Sequence, residues 1–281
     1  MDVSFLYRKE NIKMRPIKYF SKELALQIDY VFADIDDTLT TDGRLKANSY
    51  NALEELNNAG IKVVPVTGRP AGWCDLIARF WPVVGVIGEN GAFYYSYDHK
   101  KKFMQRTFAS PKKTRANNQQ KLKQICNRVL TEIPGAAISA DQDFRDTDLA
   151  IDFCEDVPPL SEDDVQRIKV IFEEAGAIAK VSSIHVNGWF GNHDKLSMTK
   201  QFCHEIFGFD LQDKLQQSIF IGDSPNDAPM FAHFPLACGV ANINDFKDQM
   251  KTFPAWVTKE RGGAGFIEVA RTLLNSRKNK I

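Results

Sequence analysis

The sequence predicts an α/β protein whose core is a Rossmann-like doubly wound parallel sheet, with a smaller α+β domain inserted into it. Three observations predict this fold class. Short apolar runs alternate with amphipathic segments from Tyr30 onward. A block with longer polar helices and alternating strands interrupts this pattern, which then resumes. Strands separated by helices imply right-handed crossovers, and these in turn imply a parallel sheet.

The first part of the predicted core alternates strictly between strand and helix. A stripe of leucines predicts its first helix, which ends at Gly60, a residue typical of helix C-termini. β-Branched, apolar segments on either side of the helices predict buried strands. In chain order we predict a strand at 30–33, a helix at 45–59, a strand at 61–67, a helix at 73–80 and a strand at 83–88.

The inserted block mixes long polar helices with alternating strands. Its predicted elements are a helix at 114–133, a strand at 149–153, a helix that starts after Ser161 and runs to about 175, and two antiparallel strands within 178–190. The core then resumes with a helix at 195–207, strands at 218–222, 236–240 and 255–258, and a helix at 263–274. We therefore predict an N-terminal extension at 1–27, a core domain at 28–105 and 188–281, and an inserted domain at 106–187.

Composition limits the classes of function. The 36 lysines and arginines balance 36 aspartates and glutamates, so there is no global field that would recruit nucleic acid or an anionic membrane. The five cysteines form no CxxC pair, which argues against a zinc site or a disulfide scaffold and favours a reducing compartment. The N-terminal segment lacks the apolar core of a signal peptide, and no stretch is apolar enough for a membrane span. We expect a cytoplasmic protein.

Two predicted strands run directly into clusters of acids. Asp34 and Asp36 follow the strand at 30–33, and two carboxylates 4 Å apart repel by about 4 kcal/mol at an effective dielectric constant of about 20. Asp223 and Asp227 follow the strand at 218–222. If both strands are central and parallel, the four carboxylates converge at one sheet edge, where they suit a hard cation such as Mg²⁺. The alternative, that such acids only cap turns, explains one cluster better than two.

Groups suited to phosphate stand nearby in the predicted fold. The strand at 61–67 ends in Thr67, Gly68 and Arg69, which offer a hydroxyl, an unobstructed backbone N–H and a guanidinium. Lys195 lies on the first turn of a helix, where its charge opposes the helix dipole unless anions face it. A polar turn after a strand and an ordinary surface lysine are the alternative interpretations.

These segments resemble the haloacid dehalogenase superfamily. DIDDT at 34–38, TGR at 67–69, Lys195 and GDSPND at 222–227 occur in the order of the four motifs of that superfamily. The inserted domain resembles the α+β cap of the type IIB branch. That branch includes Cof-type sugar phosphatases, sucrose- and mannosylphosphoglycerate-type phosphatases, and phosphomannomutases. The resemblance covers about residues 28–275.

The resemblance implies a role for each matching residue. Asp34 would be the nucleophile that forms an aspartyl phosphate, and Asp36 would act as general acid and then general base. The Mg²⁺ ligands would be Asp34, the backbone carbonyl of Asp36, and Asp223, with Asp227 supporting the site. The phosphoryl oxygens would be bound by Thr67, Gly68, Lys195 and Asn226. Asp37 departs from the glycine found in many members and is interpreted as tolerated.

Substrate selection is expected from the cap and from the rim of the core. The candidates are Arg69, Asn90, Arg145, His185, Asn187 and Trp189. Period-two spacing places the last three on one face of a strand, suited to a sugar ring, although a solvent-facing strand with a packed tryptophan is equally consistent. The segment 90–91 resembles a turn beside the active site in this branch, or is a structural hairpin.

The resulting hypothesis is a Mg²⁺-dependent phosphatase acting on a small phosphomonoester, such as a sugar phosphate. Two alternatives remain open at this point: a phosphomutase of the phosphomannomutase type, and a non-catalytic phosphosugar-binding protein.

Overall fold

A computed structural model of the chain describes residues 14–182 and 184–277. In chain order its strands and helices are β1 (Arg15–Pro16), α1 (Lys22–Gln27), β2 (Tyr30–Ala33), α2 (Ala47–Asn58), β3 (Lys62–Pro65), α3 (Ala71–Phe80), β4 (Val86–Gly88), β5 (Phe93–Asp98), β6 (Phe103–Phe108), α4 (Lys112–Glu132), β7 (Ala137–Ile138), β8 (Asp148–Asp152), α5 (Glu162–Glu174), β9 (Ile178–Val181), β10 (His185–Trp189), α6 (Lys195–Phe202), β11 (Ser218–Gly222), α7 (Ala228–His233), β12 (Cys238–Gly239), β13 (Trp256–Val257) and α8 (Gly262–Arg277).

A six-stranded parallel sheet forms the core, in the order β1-β13-β12-β11-β2-β3. Successive side chains of β2 point to opposite faces, so Val31 packs in one hydrophobic cluster and Phe32 in another. Residues of α1, α2, α3 and α8 contribute to the first cluster, and residues of α6 and α7 contribute to the second. Helices thus cover both faces, which confirms the predicted doubly wound α/β class.

The N-terminal segment packs onto this sheet. β1 pairs in parallel with β13 and forms one edge of the sheet. Ile17 and Phe20 are buried, and the Phe20 ring contacts the edge of Trp256 at a centroid distance of 5.0 Å. Of the predicted extension, residues 14–27 therefore share the core of the main sheet, while residues 1–13 lie outside the described part.

Beyond β3 the core continues into an antiparallel hairpin that the sequence analysis did not predict. A parallel bridge joins Val66 to Ile87. β4 then pairs antiparallel with β5, and β5 with β6. The lysines at 100–102 lie at the turn between β5 and β6.

The inserted segment forms its own four-stranded antiparallel sheet, in the order β7-β8-β10-β9. Side chains of α4 and α5 cover one face, where Phe172 fills the space above Gly188 so closely that a Cβ there would lie 2.1 Å from its ring. The division into domains stays a prediction. The pairing favours slightly later bounds than 106–187, because β6 pairs with core strand β5 and all of β10 pairs within the second sheet.

Helix ends follow the predicted signals in most places. α2 is followed by Gly60 at a φ of +81°, as expected for a C-terminal glycine. Ser161 caps α5 by accepting from the Asp164 N–H. The helix predicted at 195–207 changes character at Cys203, where α6 ends and a π-helical turn continues to Phe207. Within residues 14–182 and 184–277, no helix combines the length and apolarity that a membrane span requires.

Candidate active site

Asp34 and Asp223 leave neighbouring strands at the same edge of the core sheet. Asp34 directly follows β2, and Asp223 directly follows β11. The strands are parallel and paired, and the Asp34 N–H donates to the Ile221 carbonyl at 2.9 Å. Glycine is needed at position 222, because a Cβ on Gly222 would lie 2.3 Å from Oδ2 of Asp227. The predicted acids therefore meet at the carboxyl ends of two central strands, where open α/β sheets bind ligands.

Lys195 is inserted into this acidic cluster. It is the first residue of α6, whose N-terminus is fixed by a reciprocal capping box between Asp194 and Ser197. Its ammonium donates to Oδ1 of Asp34 at 2.7 Å and to Oδ1 of Asp227 at 2.8 Å. Because Lys195 is only 4% exposed, these carboxylates supply the stabilisation that water would otherwise give.

One lysine leaves the cluster short of positive charge. Carboxylate oxygens of Asp34, Asp223 and Asp227 lie within 4.8 Å of one another and are buried. Three carboxylates and one ammonium leave a formal charge of −2, and in the described part of the chain no basic group lies within 4.0 Å of Asp223. Burial raises the pKa of Asp34 to about 7 against the opposing charge of Lys195, and burial also raises the pKa of Asp223. An all-oxygen set with two uncompensated charges fits Mg²⁺.

Two of the predicted phosphate-binding residues, Thr67 and Gly68, lie on one compact loop, whereas Lys195 is on α6 and Asn226 follows β11. The Thr67 N–H donates to the Ile87 carbonyl, and the Thr67 hydroxyl accepts from the Arg69 N–H at 3.0 Å. The Asn90 N–H donates to the Thr67 carbonyl at 3.0 Å. The side-chain amide of Asn90 lies beside Gly68, 3.2 Å from where a Cβ would be. The structure thus brings Asn90 against the Thr67–Arg69 segment. Its backbone φ of +56° is one that asparagine tolerates.

Asp36 lines the same cleft but is not part of the three-carboxylate cluster, and its side chain pairs with Arg69. Nη2 of Arg69 donates to Oδ1 of Asp36 at 2.8 Å, and Nε lies 3.0 and 3.1 Å from its two oxygens. The guanidinium also lies 4.6 Å from the centre of the Trp73 ring and 3.7 Å from the carboxylate of Asp141 in the inserted segment. Arg69, predicted as a substrate contact, here orients the predicted general acid.

The sequence matches the model of the family described as haloacid dehalogenase-like hydrolase over residues 31–149. This stretch includes Asp34, Asp36 and the Thr67–Arg69 loop. This part of the chain is therefore similar to haloacid dehalogenase-like hydrolases. A search of curated proteins found no match to the sequence.

Several solved structures share this fold over most of the chain. A Thermoplasma acidophilum protein has 18% identity and a TM-score of 0.66, covering 88% of this chain and 98% of its own. A sugar phosphatase of haloacid dehalogenase subclass IIB has 15% identity and a TM-score of 0.59, with 88% and 99% covered. The sucrose-phosphatase of Synechocystis, solved with sucrose and phosphate, has 13% identity and a TM-score of 0.60, with 89% and 98% covered. At these identities the likeness shows the fold.

The cap residues predicted to contact the substrate are buried. Arg145 donates to Asp141, to Asp148 and, at 3.1 Å, to the Gly68 carbonyl of the core. Asn187 donates to Asp148 at 3.3 Å. His185, whose Nε2 lies 2.9 Å from the carboxylate of Glu155, has its pKa lowered to about 4 by burial. Trp189 is 1% exposed and stacks on His193.

Glu89 is a residue of this region that the sequence analysis missed. Its fully buried carboxylate accepts from the N–H groups of Ala71, Asp146 and Thr147 and from the Thr147 hydroxyl. Burial raises its pKa to about 8, and the charge of Asp148 adds to this effect. The sequence around Glu89 predicts only a turn. Its buried role could not be predicted, because the groups that donate hydrogen bonds to it lie in two segments distant in the chain.

A cleft of about 1040 Å³ separates the core sheet edge from the inserted domain. Its core wall carries Asp34, Asp36, Asp37, Asp223, Asn226 and Asp245 among others. Its cap wall is formed by Gln166, Lys169 and residues 179–182. None of His185, Asn187 and Trp189 lines it. The inserted segment contributes residues of α5 and β9 to the cleft, whereas the substrate contacts were predicted on the neighbouring strand β10.

Proposed function

We propose that the chain is a Mg²⁺-dependent phosphatase that hydrolyses a small phosphomonoester, a sugar phosphate or a related metabolite, through an aspartyl phosphate on Asp34. The observation that carries the proposal is the buried cluster of Asp34, Asp223, Asp227 and Lys195 on the core wall of a large cleft. The superfamily, together with neighbours described as sugar phosphatase and sucrose-phosphatase, supports this class of reaction.

The cation would be held by the side chains of Asp34 and Asp223 and by the backbone carbonyl of Asp36, with Asp227 in support. When bound, it offsets the repulsion between the nucleophilic carboxylate and the phosphate dianion. Lys195 holds Asp34 in position through the 2.7 Å contact and also faces the phosphoryl group. The remaining phosphoryl oxygens would be bound by Thr67, Gly68 and Asn226.

The chemistry divides into two displacements. A carboxylate oxygen of Asp34 attacks phosphorus, the bond from phosphorus to the ester oxygen breaks, and Asp36 gives its proton to the leaving alcohol. Asp36 then takes a proton from water as the water oxygen attacks phosphorus, and the bond from phosphorus to Asp34 breaks to release inorganic phosphate. We propose that the inserted domain covers the cleft during both steps and excludes bulk water.

The test is hydrolysis of p-nitrophenyl phosphate and of a panel of sugar phosphates, with Mg²⁺ or with EDTA. We expect Asp34→Asn to lower kcat by about 10³-fold or more, because no other group can form the covalent intermediate. Asp37→Asn is the matched control. Asp37 lines the same cleft three residues away, and asparagine tolerates its φ of +53°, so activity should be little changed.

Three other outcomes would indicate a different function for this protein. Activity that survives Asp34→Asn would contradict the aspartyl-phosphate mechanism. Conversion of a sugar phosphate only in the presence of a sugar bisphosphate, with no phosphate release, would identify a phosphomutase. A folded protein that binds sugar phosphates without turnover of any of them would be a binding protein.

A further inference from the structure

One basic side chain of the cleft has no acidic partner. The basic residues that line the cleft are Lys169, Lys180 and Arg261. Lys169 lies 3.2 Å from Glu173, and Arg261 pairs with Asp245. In the described part of the chain, no carboxylate lies within 4.0 Å of the Lys180 ammonium. Lys180 is therefore the cation of the cleft whose charge is left for a ligand.

The position of Lys180 is set by the sheet of the inserted domain. It lies in edge strand β9, paired with Asn187 of β10, on the opposite face from Ala179, which packs under the cap helices. Its ammonium lies 6.0 Å from the centre of the Trp189 ring. Burial lowers its pKa and the charge of Lys195 lowers it further, whereas the carboxylates of Asp194 and Asp227, which lie beyond ion-pair distance, act in the opposite direction. A partly buried ammonium without an anion costs free energy that a bound anion would offset.

The two walls of the cleft differ in charge. The core wall carries five aspartates and one arginine, Arg261, whereas the cap wall carries Lys169, Lys180, a glutamine, a serine and two apolar residues, and no acid. A phosphoryl group placed against Lys195 leaves most of a cleft of about 1040 Å³ for the rest of the substrate. A second anion would be repelled from the core wall and attracted to the cap wall.

We propose that Lys180 binds a second anionic group of the substrate, so that the substrate is a phosphomonoester that also carries a carboxylate or a second phosphate. This inference rests on the proposed function, since the group to be transferred occupies the Asp34–Lys195 end of the cleft. The cap selects by charge through β9, and the aromatic ring of Trp189 supports the lysine from behind.

The experiment compares substrates that differ only in the second charge. The matched pairs are 3-phosphoglycerate with glycerol 3-phosphate, and fructose 1,6-bisphosphate with fructose 6-phosphate. Binding is measured by calorimetry with Mg²⁺ in the Asp34→Asn protein, where turnover cannot interfere, and KM and kcat are measured in the otherwise wild-type chain. The variants are Lys180→Ala, Lys180→Arg and, as control on the same wall, Lys169→Ala.

We expect the doubly anionic member of at least one pair to bind about 10-fold or more tightly than its partner. Lys180→Ala should weaken binding of the substrate with two anionic groups about 10- to 100-fold and raise its KM more than it lowers kcat. Binding of the partner whose phosphate is its one anionic group should stay unchanged. Lys180→Arg should retain most of the preference, and Lys169→Ala should retain all of it.

Two outcomes would overturn the inference: no preference for the doubly anionic member of either pair, or equal weakening of both members by Lys180→Ala. The second would mean that Lys180 only supports the cap. Either result together with Mg²⁺-dependent hydrolysis leaves the proposed function intact. Charge-selective binding without any hydrolysis would instead contradict the proposed function and keep the anion site.

Discussion

At the scale of single residues, the contact between Arg69 and Asp36 links the phosphate loop to the proposed acid catalysis. The guanidinium reaches both oxygens of Asp36 and rests on the Trp73 ring, so the carboxylate is held in one orientation. Lysine offers a single point charge and cannot reproduce this planar arrangement. The orientation of Asp36 should therefore depend on arginine and not on positive charge alone.

We expect Arg69→Lys to lower kcat/KM for alkyl phosphates about 10- to 100-fold, because a misplaced acid protonates the leaving oxygen poorly. The loss should be smaller for p-nitrophenyl phosphate, whose leaving group needs little protonation. Steady-state kinetics with both substrates checks this. Arg79→Lys, at a half-buried pair with Asp75, should change the kinetics of neither substrate. Equal losses for both substrates would show that Arg69 does not act through Asp36.

At the scale of elements, the short turn at Glu89–Gly91 joins three parts of the site. Its three residues all have positive φ, at 42°, 56° and 98°. The Glu89 N–H donates to the Arg69 carbonyl, and its carboxylate binds the loop at 146–147 of the inserted domain. Gly91 lies against the N-terminus of α6, where a Cβ would meet the Asp194 carbonyl oxygen at 2.0 Å. Such strain persists because the surrounding contacts define it.

Glu89 also predicts a dependence of stability on pH. Its pKa is raised in the folded protein from about 4.5 to about 8, so folding takes up a proton between these values. The free energy of unfolding therefore loses the contribution of Glu89 as the pH rises through this range. Because glutamine cannot titrate, the free energy of unfolding of Glu89→Gln should rise relative to that of the wild type by up to about 1.4 kcal/mol per pH unit over this range.

Urea unfolding of both proteins between about pH 5 and about pH 8.5 measures this difference. Glu54→Gln, on the exposed face of α2, is the control: its free energy of unfolding should change with pH in the same way as that of the wild type. A constant difference between Glu89→Gln and the wild type would show that Glu89 is already ionised at the low end.

At the scale of the whole molecule, charge is balanced overall but separated locally. Lysines and arginines equal aspartates and glutamates at 36 each, yet the core wall of the cleft carries five aspartates and one arginine, and the cap wall carries two lysines and no acid. We expect the three buried carboxylates around Lys195 to destabilise the metal-free fold, because one ammonium offsets only part of their mutual repulsion. A divalent cation should therefore stabilise the entire core.

We expect the melting temperature to be higher in Mg²⁺ than in EDTA. At a Mg²⁺ concentration 100 times Kd, binding should add about 2.7 kcal/mol to the free energy of unfolding. Asp223→Asn should abolish this gain and, in EDTA, should melt at a higher temperature than the wild type. Thermal unfolding followed by circular dichroism checks both. Asp245→Asn, in the same cleft but paired with Arg261, should keep the response to Mg²⁺. An unchanged response in Asp223→Asn would contradict the assigned ligand.

The fold class and the acidic cluster were predictable because their signals are local. Asp34 and Asp223 each end a short apolar run, and the parallel pairing of β2 and β11 follows from the alternation of strands and helices. The hairpin β5–β6 and strand β1 were missed. The hairpin mixes aromatic and charged residues, and β1 has two residues that become a strand only by pairing with β13.

The sequence by itself determined the doubly wound core, the inserted α+β domain and the positions of Asp34, Asp36, Thr67, Lys195, Asp223 and Asp227, since apolar periodicity and strand ends are properties of short segments. Only the tertiary structure decided which side chains face the cleft. It buried His185 beside Glu155 and Trp189 against His193, turned Lys180 to the cleft and surrounded Glu89 with donors. The reason is physical: the burial and partners of a side chain depend on the surface that packs against it, and that surface comes from residues far away in the chain.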